Sequence, residues 1–244
     1  MRVSFGEALV ALGGAQKHAA RGAPAYSRFV NRRLGRVLAA GAAVLGLSPN
    51  AVTAISALFT AAGIVVLAWA PLSTLTGVAV AALLLVGYAF DSADGQLARL
   101  QGTGSPAGEW LDHVVDSVKV SALPLGLFVA LVRADVATPW LAVPLAAAVV
   151  QPVVFFTMIL TEQLRRAHGV VPLAAPGGGP RSWLRPMLAL PTDYGVQCLV
   201  FLLLGVPPVF LVVYAATIAA TAVFLVLACL KWYRELRSLT APRA

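Results

Sequence analysis

Residues 73–98 read STLTGVAVAALLLVGYAFDSADGQLA: eighteen positions without a charge, then Asp91 and Asp94 inside the same helix-length run. About 20 apolar residues suffice to cross a bilayer, so this stretch predicts a transmembrane helix whose last turns are acidic. Apolar runs of similar length recur on both sides of it. Six spans are expected, at about 51–69, 73–98, 107–132, 137–162, 193–206 and 208–231, the fifth being the shortest. The fold class is therefore all-α: a polytopic membrane bundle of six transmembrane helices with an N-terminal amphipathic interfacial segment. The expected organisation is an N-terminal amphipathic or juxtamembrane segment over 1–50, one six-helix domain over 51–232, and a tail over 233–244.

Composition agrees. The chain has 244 residues, 59% hydrophobic and 11% charged, with mean hydropathy +0.85, whereas a soluble domain carries roughly a quarter charged residues. The net charge of +8 does not point to nucleic acid, because the basic residues sit at span ends. There they act as topology signals and as contacts to anionic membrane lipids. Cys198 and Cys229 fall in apolar segments and read as buried small hydrophobes. No short apolar run with a cleavage site opens the chain, so no signal peptide is expected. In residues 1–36, Phe5, Leu9, Leu12 and Phe29 alternate with Lys17, Arg21, Arg28 and Arg32, as on a membrane surface. The apolar run Val37–Leu47 is too short to span, and Ser48-Pro49-Asn50 ends it.

The basic residues also orient the chain. Seven precede the first span, Arg99 follows the second, four lie between Arg165 and Arg185, and four follow the sixth span. Against these, only Arg133 falls on the other side, and Lys119 lies within a span. Both termini are therefore expected in the cytoplasm, with the protein in the plasma membrane.

Five of the ten acidic residues lie between Asp91 and Asp116. A charged side chain within a span costs roughly 2.5–3.5 kcal/mol on insertion scales, so such residues need a partner or a role. Asp91 and Asp94 lie about 60° apart on one helix, and Gly108, Asp112 and Asp116 form a stripe at every fourth position on the next. A short turn lets the two acidic faces meet. Divalent cations would relieve their repulsion, and oxygen-only ligands suit Mg²⁺ or Mn²⁺ better than zinc. Gly95, Ala98 and Gly108 leave room for a ligand near the backbone, and Arg99 offers a cation for a phosphate. Lys119 falls on the Asp112–Asp116 stripe one turn deeper, where a role in the site outweighs snorkelling to the surface.

The run Asp91-Ser-Ala-Asp94-Gly95-Gln-Leu-Ala98-Arg99, followed by Gly108, Asp112 and Asp116, resembles the signature of the CDP-alcohol phosphotransferases. All eight defining positions match across 26 residues. Ser48-Pro49-Asn50-Ala-Val-Thr53 resembles the family more weakly, and the resemblance covers about 25–232. It implies two metal ions, Mg²⁺ or Mn²⁺, held by Asp91, Asp94, Asp112 and Asp116, with Asp116 as the base that activates an acceptor hydroxyl. Gly95, Ala98, Arg99 and Gly108 are then expected on the nucleotide side, and Lys119 beside an anionic acceptor. The implied donor is CDP-diacylglycerol, the acceptor a polar alcohol, the product CMP plus a phospholipid, and the assembly a homodimer. The Ala-, Arg-, Gly- and Val-heavy composition suggests a GC-rich bacterium.

Other readings are open. The sequence around Gly108-Glu109-Trp-Leu-Asp112-His113 is closer to choline and ethanolamine phosphotransferases, whose donor is a CDP-amino alcohol and whose acceptor is diacylglycerol. A metal-binding scaffold or transporter is the non-enzymatic alternative, although a transport path needs polar groups in both membrane halves. Glu109 and His113 lie off the acidic stripe and are expected at its rim. Gln151, Pro144 and Pro152 read as packing and kink features, Trp69, Trp140 and Trp232 as interfacial anchors. The segment Arg181–Leu188 is either a lid or a surface connector.

Overall fold

A computed structural model describes residues 4–14, 25–170 and 192–239. The segment 181–188, considered above as a lid, lies outside them. Among the described residues the elements are α1 Phe5–Gly14, α2 Arg32–Val44, α3 Pro49–Trp69, α4 Thr74–Gln101, α5 Pro106–Arg133, α6 Thr138–Ala167, α7 Tyr194–Val200 and α8 Pro207–Leu239. Ala25 and Tyr26 are helical, and their helix passes through one wide turn, Ser27–Asn31, and continues as α2.

The boundaries follow from local chemistry. The first amides of a helix lack intrahelical partners, and a serine hydroxyl just before the helix can accept from them. Ser48 accepts from the Ala51 amide, Ser73 from Thr76 and Ser105 from Gly108. Pro49 and Pro106 stand in the first turn, where a missing N–H costs nothing. Gly102, at φ 64°, ends α4 in the left-handed conformation that glycine tolerates.

Among the described residues five helices, α3, α4, α5, α6 and α8, are long and apolar enough to cross a membrane, which makes this a multi-pass membrane protein. The expected span at 193–206 is helical but short. Seven α-helical residues and a five-residue 3₁₀ turn, Phe201–Gly205, rise about 20 Å, against an apolar core of about 30 Å. Its neighbours explain the length. The Tyr194 ring meets the Tyr88 ring edge-on at 5.1 Å, and Gly205 abuts Thr74 so closely that a Cβ would overlap the backbone there. The segment thus runs antiparallel to α4 only from the level of Tyr88 to that of Thr74.

Buried Leu84, Leu123, Leu127, Phe201, Phe210 and Tyr214 fill the centre. Exposed Val149, Phe156, Val223 and Leu227 point outward from α6 and α8, as lipid-facing positions do. Arg133, the one basic residue expected on the far side, lies over the exposed Trp69 ring at 4.8 Å. The amphipathic N-terminal part is present as α1, which packs on α2, and α2, which packs along α4. Gly35 makes that last contact possible, since a Cβ there would stand 2.6 Å from Ser92 Oγ.

Candidate functional site

The last turns of α4 and the first of α5 bring the four aspartates to one end of the bundle. A cleft of about 290 Å³ opens there, lined by Asp91, Asp94, Gly95 and Arg99 of α4, Asp112 of α5, and Ser27, Asn31 and Arg32 from the N-terminal helix. Ala98 and Gly108 are absent from this lining. Gly108 sits at the start of α5, 3.5 Å from Asn50 as measured from where its Cβ would be.

Each carboxylate has a distinct neighbourhood. Asp94 is buried, and its Oδ2 accepts from Thr53 Oγ1 at 2.6 Å while its Oδ1 accepts from the Gly95 amide at 2.5 Å. Asp91 Oδ1 and Asp116 Oδ1 both accept from Lys119 Nζ, at 2.9 and 2.5 Å. That ammonium is only 4% exposed and also lies over the Tyr194 ring, 5.4 Å from its centroid. A lysine this deep is tolerated because two carboxylates neutralise it. Snorkelling is thereby excluded: Lys119 belongs to the acidic cluster.

Asp112, His113 and Asp116 each offer a ligand atom, all within 4.8 Å of one another. His113 is closer to the cluster than its helical angle suggested; its ring also meets Phe155 edge-on at 6.1 Å. Glu109 is at the rim, paired with Arg166 Nη1 at 2.7 Å, and this ties α5 to α6. Arg165 pairs with Glu235, joining α6 to α8 at the same end.

Several contributors carry no periodic signal. Thr53 stands in the motif-like first turns of α3, but nothing in its spacing names Asp94 as its partner. Ser27, Asn31 and Arg32 are placed by contacts to α4: Asn31 Nδ2 donates to Tyr88 O at 3.0 Å and Gln96 Nε2 to Arg32 O at 3.2 Å. The wide turn at Ser27–Asn31, a kind of irregularity common at functional sites, aims these residues at the cleft.

The donor set is mainly oxygen, crowded, and already drawing a buried cation between two of its members. Such a set suits hard divalent ions. Beside it, Arg99 and Arg32 present positive charge for a phosphate-bearing ligand.

The fold has relatives of known structure. Mycobacterium tuberculosis phosphatidylinositol phosphate synthase with CDP-DAG bound matches at 22% identity and TM-score 0.55, over 88% of this chain and 98% of that one. The same synthase in complex with manganese and citrate matches at 21% identity and TM-score 0.52, over 88% and 94%. No curated protein sequence matches significantly. The model of the CDP-alcohol phosphatidyltransferase family matches residues 46–230, which takes in α3 to α6, the four aspartates and most of α8. The chain is therefore an enzyme of the CDP-alcohol phosphatidyltransferase family.

Proposed function

We propose that this enzyme transfers a phosphatidyl group from CDP-diacylglycerol to the hydroxyl of a polar alcohol and releases CMP. The observation that carries this reading is the convergence of Asp91, Asp94 and Asp112 on a cleft that also bears Arg99 and Arg32, with Asp116 outside its lining and joined to Asp91 through Lys119. The manganese and CDP-DAG found in the similar synthase support it. Asp91, Asp94, Asp112 and Asp116 would hold two ions, Mg²⁺ or Mn²⁺, whose charge would offset that of the pyrophosphate and of departing CMP.

The chain's own residues do the rest. Arg99, with Gly95 beneath it, receives the donor's phosphates, while Ala98 and Gly108, outside the cleft lining, are left without a direct part in holding them. Thr53 and the Gly95 amide hold Asp94 in one orientation. The acceptor oxygen bonds to the phosphorus that carries the diacylglycerol, and the bond from that phosphorus to the CMP oxygen breaks. The acceptor's proton passes to a carboxylate, which we assign to Asp116. Lys119, one turn deeper, faces the acceptor side and favours an alcohol with its own negative group, such as a sugar-alcohol phosphate. The basic loops favour a cytoplasmic site, and the resemblance supports a homodimer.

The test is CMP release by purified protein with CDP-diacylglycerol and a panel of anionic, neutral and cationic alcohols. Release with an anionic alcohol is expected. Release only from CDP-choline or CDP-ethanolamine with diacylglycerol would replace this reading by the amino-alcohol one. No release with any pair would leave a metal-binding scaffold.

A further inference from the structure

Among the described residues, Asp193 is the buried acidic residue that the site described above does not use, at 1% exposed. It stands just before α7, where its Oδ1 accepts from the Gly195 amide at 3.0 Å. Its other oxygen does something less usual. Asp193 Oδ2 accepts from the amides of Tyr26 at 2.8 Å and Ser27 at 3.2 Å, 167 and 166 positions away. Those amides stand among the first described residues of the helix that continues as α2. A single carboxylate therefore caps α7 and also bonds a turn some 166 positions earlier in the chain. Its charge also suits the positive end of α7.

The neighbours tighten this junction. Gly195 packs against the Tyr26 ring so closely that a Cβ would overlap it. The Tyr26 ring stacks on Tyr88, centroids 6.4 Å apart, and Tyr88 also meets Tyr194 edge-on. The turn so fastened is the one that carries Ser27, Asn31 and Arg32 into the cleft. We infer that Asp193 is a positioning residue, a latch that holds the N-terminal wall of the donor cleft against α4. This rests on the reading of the cleft as the CDP-donor site.

Two readouts test it, both on full-length protein in lipid nanodiscs. Hydrogen exchange at the Tyr26 and Ser27 amides should quicken about tenfold in Asp193→Ala, as loss of bonds worth about 1.4 kcal/mol implies. Unchanged exchange would overturn the latch whatever the enzyme's substrates. With CDP-diacylglycerol, Asp193→Ala should raise the donor KM roughly tenfold, on the same energy scale. Its kcat, acceptor KM and Mn²⁺ affinity should stay within about twofold, smaller than one such step. Asp193→Asn, which keeps only one of the two accepting oxygens, should recover part of the donor affinity and no more. Gly195→Ala, which pushes on Tyr26 and leaves the carboxylate intact, should raise the donor KM as Asp193→Ala does, and it decides the matter if Asp193→Ala does not fold. A fall in kcat and metal affinity with unaltered donor KM would overturn the positioning role. Absence of turnover in the unmodified protein would count against the proposed reaction and leave the exchange test standing.

Discussion

Thr53 Oγ1 donates to Asp94 Oδ2 at 2.6 Å, joining the first turns of α3 to the acidic end of α4. The same hydroxyl lies 3.2 Å from the Pro49 carbonyl of its own helix, so its rotamer is fixed from both sides. Partners that orient a metal-binding group are typically worth 10–100-fold in metal affinity. Thr53→Val is therefore expected to weaken Mn²⁺ binding by about that factor, and Thr53→Ser to restore most of it. Calorimetric titration with Mn²⁺ checks this; equal affinity in all three proteins would detach Asp94 from the metal.

The aspartates should separate into two classes. Asp91→Asn, Asp94→Asn and Asp112→Asn are expected to weaken metal binding severely, and chelator to abolish CMP release until Mg²⁺ or Mn²⁺ is restored. Asp116→Asn is expected to lower turnover by about 10²–10⁴-fold, the usual range for a lost general base, with donor binding largely kept. A collapse of donor affinity as large as that of Asp91→Asn would make Asp116 chiefly a metal ligand.

Lys119→Met removes the cation shared by Asp91 and Asp116. Breaking a buried pair costs about 3–5 kcal/mol because the partner charge is left uncompensated. The variant should thus melt well below the unmodified protein in chelator and recover when Mn²⁺ is added. If Lys119 also serves the acceptor, the KM for an anionic alcohol should rise by a large factor while the donor KM changes little. An unchanged acceptor KM would confine Lys119 to its pairing with the aspartates.

Sidedness is open to thiol labelling. Gly104, in the exposed turn between α4 and α5, and Ala137, in the exposed turn before α6, lie at opposite ends of α5. In intact cells a membrane-impermeant maleimide should label Ala137→Cys and leave Gly104→Cys unmodified. The reverse pattern would put the aspartates outside the cell.

What the sequence makes legible is what repeats with helical period. Asp91, Asp94, Asp112, Asp116 and Lys119 share faces at three- and four-residue spacing, and the structure brings Asp91, Asp116 and Lys119 into direct contact. Arg99 follows from its place one turn beyond Gly95. The shortness of α7 is not legible, because hydropathy sees the apolar run but not the level of Tyr88 at which its helix starts. His113 shows the limit of angular reasoning: off the stripe by rotation, its ring still comes back towards Asp112 and Asp116. Thr53 with Asp94, and Asp193 with Tyr26 and Ser27, join residues 41 and more than 160 positions apart. Such contacts are set by how helices dock, and no local pattern announces them.

α4 has 28 residues, about 42 Å at 1.5 Å per residue, so it outreaches the hydrocarbon by about 12 Å. With Thr74 at the far boundary, the excess is the stretch that carries Asp94, Gly95 and Arg99. The reaction is thus staged at the seam between two solvents. A lipid reactant can present its phosphates there while its tails stay in the leaflet, reaching the protein by lateral diffusion. A water-soluble partner can come from the aqueous phase without entering oil. Neither reactant crosses a phase boundary, and the product is released already embedded in the membrane it extends.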